Sequence, residues 1–338
     1  MLSTTTKRPT VEDVARKANV SVATVSRVLA NVDPRRFSAE TAERVRKAAR
    51  EMNYQPSELG RSLRTATARA AALLVPDTTN EFCADVASSL EGALQRNGLS
   101  MMLCNTAEDP AKQDAYLEQI ESRGISAIVL QGVVESPALL RMSAGGTPMV
   151  FVSRRPPDPV KGDFVGVDNR GAGADVADHF LSKGYEDCAA IHGSLRYAAS
   201  RERLIGFSER LGQHGVSLVA ERRIQSQLTP EAGHRHARAL LSGKSPPRAI
   251  FCGNDSIAYG VYRAAIDMGL RVPNDLAIFG FDDNRLNRWL APWLSTVHVP
   301  VSDFGEAVAG LLKEQSLGGK REPRTVLLPH SLAIRESA

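Results

Sequence analysis

From residue 69 almost to its end, the chain repeats one pattern: a short apolar run followed by a longer amphipathic stretch. The apolar runs at 71–75, 100–104, 127–131, 149–152, 189–192, 249–252 and 277–281 have the length of β-strands and no polar alternation. Between them, the segments 82–95, 112–122, 171–183, 203–214, 231–241, 256–268 and 304–315 carry apolar residues at helical spacing. A strand that is apolar on both faces must be covered on both faces, and the intervening helices supply the cover. The pattern therefore predicts parallel α/β structure. A stretch of this length is too large for a single sheet with one core, so two side-by-side α/β subdomains are expected.

The first fifth of the chain has a different texture. Residues 10–52 read as three short helices. Thr10 is placed to cap the first, with Asp13 three residues on, and Val11, Val14, Ala15 and Ala18 form its apolar stripe. A tight turn at Asn19-Val20 leads to a second helix capped by Ser21 and bearing Val25, Val28 and Leu29. A loop over 31–37 precedes a third helix capped by Ser38, with Ala42, Val45, Ala49 and Met52 facing inward. Charge is divided along the same boundary. Residues 1–70 hold 14 lysines and arginines against 7 acidic residues, whereas the remainder holds 28 against 31. A basic end on a neutral-to-acidic body points to a polyanionic partner for that end.

Two short helices joined by a turn of three to four residues form a helix-turn-helix, whose second helix enters the major groove N-terminus first. Here its leading residues are Val22 and Ala23, with Arg27 one turn later on the same face. An arginine can bond guanine O6 and N7 together, whereas valine and alanine offer only apolar contact, for example to a thymine methyl. Ser21, Thr24 and Ser26 suit phosphate oxygens, which set register without reading bases. On geometry alone, a plain three-helix bundle with capping hydroxyls fits the same residues.

The run from Thr10 to Leu29 (TVEDVARKANVSVATVSRVL) closely resembles the headpiece of the LacI/GalR family of bacterial transcriptional regulators. The resemblance continues through Ser38-Ala-Glu-Thr41, Asn53-Tyr-Gln-Pro56 and Arg61-Ser-Leu-Arg64. It extends over the body at Val75-Pro-Asp77, Gly166-Val-Asp-Asn169, Arg201-Glu-Arg-Leu-Ile-Gly-Phe207, Asn254-Asp255, Arg271-Val-Pro273 and Gly280-Phe-Asp-Asp283. It implies a headpiece over 8–55, a hinge helix and linker over 56–68, and a ligand-binding and dimerisation domain over 69–338. That domain would resemble periplasmic sugar-binding proteins: two flavodoxin-like subdomains, a cleft between them, and crossovers near 168, 296–300 and 327. In such a hinge, Leu63 would wedge into the minor groove and Leu59 would meet its dimer mate. Gly60 replaces the family's usual alanine, which costs roughly 0.5–1 kcal/mol of helix stability, so the hinge is expected to order on DNA. The loop over 31–37 is about two residues longer than is usual for the family. Thr10 and Tyr54 complete the DNA contact set.

Ligands in open α/β sheets sit at the C-terminal ends of the strands. Phe82, Ser153, Arg154, Asn254 and Asp282 fall after such ends, and the resemblance implies ligand contact for Arg203, Asn254 and Asp282. Amide, carboxylate and guanidinium groups together suit a polyol, each hydroxyl needing both a donor and an acceptor. Leu228 stands where the family often has an aromatic residue, and two cleft arginines favour a sugar acid or phosphorylated sugar. Asp168 and Asp255 equally suit helix caps, and Asp283 a loop.

Other classes fit less well. Asp282 and Asp283 are adjacent and would point apart, so they do not form an acid/base pair. Gly171-Ala-Gly-Ala-Asp-Val176 resembles a dinucleotide fingerprint but lacks its third glycine. His234 and His236 do not share a helix face, the four cysteines are scattered, and no cofactor or metal is implied. No apolar run approaches the ~18 residues of a membrane span, and the polar first ten residues lack a signal peptide. The expected protein is a cytoplasmic, homodimeric repressor with a double-stranded, pseudo-palindromic operator and a sugar-like effector. The absence of a C-terminal heptad tail argues for a dimer over a tetramer.

Overall fold

A computed structural model describes residues 9–29, 36–54, 68–316 and 322–338. These fall into two compact units that divide between Ala68 and Arg69.

The first unit holds α1 (Val11–Ala18), α2 (Val22–Leu29) and α3 (Ala39–Glu51). Each helix starts where a hydroxyl satisfies a free backbone N–H. At α1 the arrangement is reciprocal: Thr10 Oγ1 accepts from Asp13 N–H, and the Asp13 carboxylate accepts from Thr10 N–H at 2.9 Å. Ser21 Oγ accepts from Thr24 N–H at 3.1 Å, and Ser38 Oγ from Thr41 N–H at 3.2 Å. Asn19 takes a left-handed conformation (φ 51°), which ends α1 and turns the chain into α2. Val14, Ala15, Ala18, Val25, Val28, Val45, Ala48 and Ala49 form the core, with Ala42 and Met52 half-buried beside them. Most of the loop over 31–37 and the whole 56–64 segment, with Leu59, Gly60 and Leu63, lie outside the described residues.

The second unit is built on two six-stranded sheets. In the N-lobe, β1 (Ala68–Val75), α4 (Glu81–Arg96), β2 (Ser100–Asn105), α5 (Pro110–Ser122), β3 (Ile125–Leu130), α6 (Pro137–Ala144), β4 (Met149–Val152) and β5 (Asp163–Val167) follow in order. The C-lobe holds α7 (Asn169–Ser182), β6 (Cys188–His192), α8 (Ala198–Gln213), β7 (Arg223–Gln225), α9 (Pro230–Leu241), β8 (Ala249–Cys252), α10 (Asp255–Asp267), β9 (Ala277–Asp282), α11 (Asn287–Leu290) and β10 (Ser295–His298). The chain then returns to the N-lobe with α12 (Val301–Ser316) and β11 (Thr325–Leu328), and ends in the C-lobe with β12 (Ser331–Ala333). Strand orders are β11-β5-β4-β3-β1-β2 and β12-β10-β9-β8-β6-β7; parallel pairings dominate, and β12 lies antiparallel to β10. Three crossings join the lobes: after Val167, between His298 and Val301, and between Leu328 and Ser331.

The central strands of each sheet are buried on both faces, as the unbroken apolar runs require. In β1, Leu74 packs into one cluster with Leu117, Ile128 and Phe151, while Leu73 and Val75 face another with Leu90 and Val150. Strands β5, β7, β10, β11 and β12 and helices α6 and α11 go beyond the elements read from the sequence.

Candidate functional site

Two surfaces carry the candidate residues, one in each unit. On α2, burial of Val25 and Val28 turns the opposite side outward. Ser21, Val22, Ala23 and Arg27 are exposed there, and Thr24 and Ser26 are half-buried. Val22, a large apolar side chain, is 40% exposed at the first turn. Among the described residues Arg27 has no hydrogen-bond or ion-pair partner, whereas Arg16, Lys17 and Arg50 are engaged by Asp13, Glu51 and Glu43. The helix therefore presents an apolar leading edge and a free guanidinium. Thr10 and Tyr54 are half-buried; Tyr54 packs against the headpiece core.

In the body a cavity of about 960 Å³ opens between the two lobes. All six proposed ligand residues line it: Phe82, Ser153 and Arg154 from the N-lobe, Arg203, Asn254 and Asp282 from the C-lobe. Seven described non-glycine residues have positive φ, and four of them line this cleft, Ala107, Glu108, Ser153 and Asp282, with Asp283 following the last. Such conformations cost about 1–3 kcal/mol each and persist where surrounding structure imposes them, typically at functional sites.

The C-lobe wall is set by close helix packing. A Cβ at Gly173 would fall 2.2 Å from the Arg203 carbonyl oxygen, and one at Gly206 only 1.9 Å from that of Arg170. These glycines let α7 and α8 touch through their backbones. Gly173 belongs to the run that resembled a dinucleotide fingerprint; in the fold it is a helix-crossing residue. The contact brings Arg203 Nε within 2.7 Å of Asn169 Oδ1, while Nη1 donates to the Gly253 carbonyl at 2.7 Å. The guanidinium lies 3.3 Å from the Phe281 ring centroid. Burial lowers its pKa to about 10, with Asp282 acting in the opposite direction. Burial likewise raises Asp282 to about 8, with Arg203 acting in the opposite direction, so burial disfavours the charged form of both groups.

On the N-lobe wall the balance is different. Both amide atoms of Gln131, Ser153 Oγ and Arg154 Nη1 are buried and have no hydrogen-bond partner. Arg154 does bond through Nη2, to Glu108 Oε1 at 2.6 Å. Burial opposes the charge of Glu108, but Arg154 and the Tyr197 hydroxyl outweigh it and lower its pKa. An unpartnered buried polar group costs about 1–3 kcal/mol, which a ligand's own polar groups would recover.

Residues whose roles the sequence left open now have places. Asp168 caps α7, accepting from Gly171 N–H at 2.9 Å. Asn254 caps α10 through Oδ1 while lining the cleft. Asp255 is no cap: it is fully buried and accepts from Thr296 Oγ1, Asn284 N–H and Asn287 Nδ2, fixing the 282–287 loop. Asp283 pairs with His298 and Arg335, and His234 with Asp267. Burial pushes the Cys83 thiol up to about 12, so the cysteine in the cleft is not a ready nucleophile. Gln131, Glu108 and Tyr197 were not anticipated. Gln131 ends an apolar strand run, the same signal that marked Ser153; Glu108 and Tyr197 sit in loops and have no local signature.

A helix-turn-helix unit with a free reading face, in one chain with a two-lobed, cleft-bearing body, defines a ligand-responsive DNA-binding regulator. Comparison with known proteins gives the family. Residues 10–57 match the model of bacterial regulatory proteins of the lacI family, and residues 177–338 that of the periplasmic binding protein-like domain. The HTH-type transcriptional repressor PurR of Erwinia tasmaniensis is 32% identical over 334 residues, 97% of this chain and 96% of that protein. The HTH-type transcriptional regulator DegA of Bacillus subtilis is 31% identical over 335 residues, 98% of each. A solved complex of the transcriptional regulator CelR with cellobiose superposes with a TM-score of 0.74 at 26% identity, over 98% of this chain and all of that one. The chain belongs to the LacI family, which is made up of transcriptional regulators: it is a DNA-binding regulator controlled by a small-molecule effector. Among the described residues no helix is long and apolar enough to cross a membrane.

Proposed function

We propose that this chain is a cytoplasmic, homodimeric repressor without catalytic activity, whose effector is a sugar or sugar acid bound between the lobes. Two headpieces place α2 in the major groove at the half-sites of a pseudo-palindromic operator. Arg27 reads a guanine, Val22 and Ala23 make apolar contact with bases, and Thr10, Ser21, Thr24, Ser26 and Tyr54 hold the phosphate backbone. Leu59 and Leu63 act from the hinge in the minor groove. Effector binding changes the relation of the lobes and hence the spacing of the two hinges, a coupling of typically about 1–3 kcal/mol.

The observation that carries the effector reading is the set of unpartnered buried polar atoms on Gln131, Ser153 and Arg154, facing a cavity of about 960 Å³. Donors and acceptors in one wall suit hydroxyls, and the volume suits a mono- or disaccharide. Arg203, a buried guanidinium whose hydrogen bonds go to the neutral acceptors Asn169 Oδ1 and the Gly253 carbonyl, favours a ligand carboxylate. Leu228 lines the cleft and offers no flat aromatic face for stacking a hexose. The cellobiose bound by CelR supports the sugar class.

A thermal-shift screen of neutral sugars, sugar acids and sugar phosphates on the full chain tests this reading. A binder at 100 times its dissociation constant stabilises by roughly 2.7 kcal/mol and should change the protein's affinity for the DNA flanking its own gene in a mobility-shift assay. If only non-carbohydrate compounds shift the melt and move the DNA, the sugar assignment is wrong.

A further inference from the structure

Glu108 stands at the tip of the β2–α5 loop, where Ala107 and Glu108 both adopt left-handed backbone (φ 53° and 57°). Both carboxylate oxygens are engaged, in opposite directions. Oε1 accepts from Arg154 Nη2 at 2.6 Å, within the N-lobe. Oε2 accepts from the Tyr197 hydroxyl at 2.7 Å, and Tyr197 precedes α8 in the C-lobe. Arg154 closes the triangle, its guanidinium carbon 3.6 Å from the Tyr197 ring centroid. The neighbouring Arg155 faces Glu202 of the C-lobe at 3.7 Å. All three members of the triangle line the cleft, so the lobes are tied by a carboxylate, a phenol and a stacked guanidinium.

We propose that Glu108, Arg154 and Tyr197 form a clasp that holds the two lobes together across the cleft. Its regulatory consequence rests on reading the cleft as the effector site: effector affinity is then set partly by the clasp. The clasp also divides the work of the two arginines. Glu108 already answers the charge of Arg154, so a ligand meets Arg154 only as a hydrogen-bond donor through Nη1, and an effector carboxylate goes to Arg203.

The clasp can be tested without an effector. Spin labels on Lys112→Cys (N-lobe) and Glu231→Cys (C-lobe), both exposed positions outside the cleft, report lobe separation in the full chain. The four native cysteines are buried and are not expected to label. One labelled chain is diluted into excess unlabelled chain, and distances are read by double electron–electron resonance. Tyr197→Phe keeps the ring under Arg154 and loses only the hydroxyl; Glu108→Gln keeps the shape and loses the charge. Both variants should move the distance distribution to longer values, and the double variant should move it no further than the larger single shift. Melting followed by circular dichroism checks that each variant is folded. Unchanged distances in the folded variants overturn the clasp, whatever the sugar screen finds. A failed sugar screen leaves the distance shift, and so the clasp, intact.

Discussion

The headpiece and the body keep their candidate functional groups in opposite places. In the headpiece, Val22, Ala23 and Arg27 stand on the outer side of α2, while the fold is carried by Val14, Val25, Val28 and Val45 beneath them. In the body, Arg203, Asn254 and Asp282 line the cleft, and the first two also hold it together. Arg203 ties α7 to the β8 end, and Asn254 caps α10. The difference has a physical origin. DNA is a large partner met at a surface, and side chains that meet it need no support from within. A small ligand must be surrounded, so its contacts come from buried groups that would otherwise need partners inside the protein. Function and stability should therefore separate in the headpiece and overlap in the body.

The largest expected effect is in the body. Arg203→Ala strands Asn169 Oδ1 and the Gly253 carbonyl and empties the space over Phe281. A loss of about 2–4 kcal/mol is expected, read as a lower urea midpoint, together with loss of effector binding. A variant that loses the effector at unchanged stability would break the comparison on the body side. Arg27→Ala is the counterpart in the headpiece. It should relax discrimination at one base pair by about 1–3 kcal/mol, measured across single-base operator variants, and leave the headpiece melting temperature where it was. A drop in that temperature would mean that Arg27 supports the fold after all.

The same contrast explains what could be read from the sequence. Strands β1 to β4, β6, β8 and β9 are apolar on both faces and announce themselves. Strand β10 does not, because Ser295 and Thr296 are buried polar residues whose hydroxyls bond Arg335 and Asp255, contacts made by distant segments. Strands β7, β11 and β12 lie at sheet edges, partly exposed, without a continuous apolar run. In the cleft, polar residues directly after an apolar strand were legible by position alone. Gln131 carried that signal too, but it was absorbed into its strand. Glu108 and Tyr197 meet only because two loops from different lobes converge, and Asp255 is a hub only because the 282–287 loop folds over it; neither arrangement leaves a local pattern.

Titration sharpens the body side of the contrast. Burial raises Asp282 from its ordinary 3.8 to about 8. Between those values the folded chain holds one proton more than the unfolded chain, so stability falls as pH rises, by at most about 1.4 kcal/mol per unit. Asp255, raised by burial to about 6, acts with the same sign below that pH. His179, His192 and His236, lowered by burial, act with the opposite sign just below their ordinary value. The clean quantity is thus the difference between wild type and Asp282→Asn between pH 6 and 8. Wild type should lose stability relative to the variant across that window; parallel curves would mean that the buried carboxyl is already ionised there.

The smallest effect tests where the comparison is under most strain. Thr10, like the caps Ser21 and Ser38, has its hydroxyl committed to the fold: Oγ1 accepts from Asp13 N–H and donates to Asp13 Oδ2 at 2.8 Å. It also belongs to the DNA contact set, so here the headpiece should behave like the body. Thr10→Ala removes the reciprocal cap and should cost about 1 kcal/mol of headpiece stability. It should also weaken operator binding to the same extent for every sequence, because a phosphate contact carries no base preference. Thr10→Ser restores the oxygen and should recover both. If Thr10→Ala lowers the melting temperature but leaves the operator affinity of the folded protein unchanged, Thr10 is a cap alone, and function and stability separate at this position too.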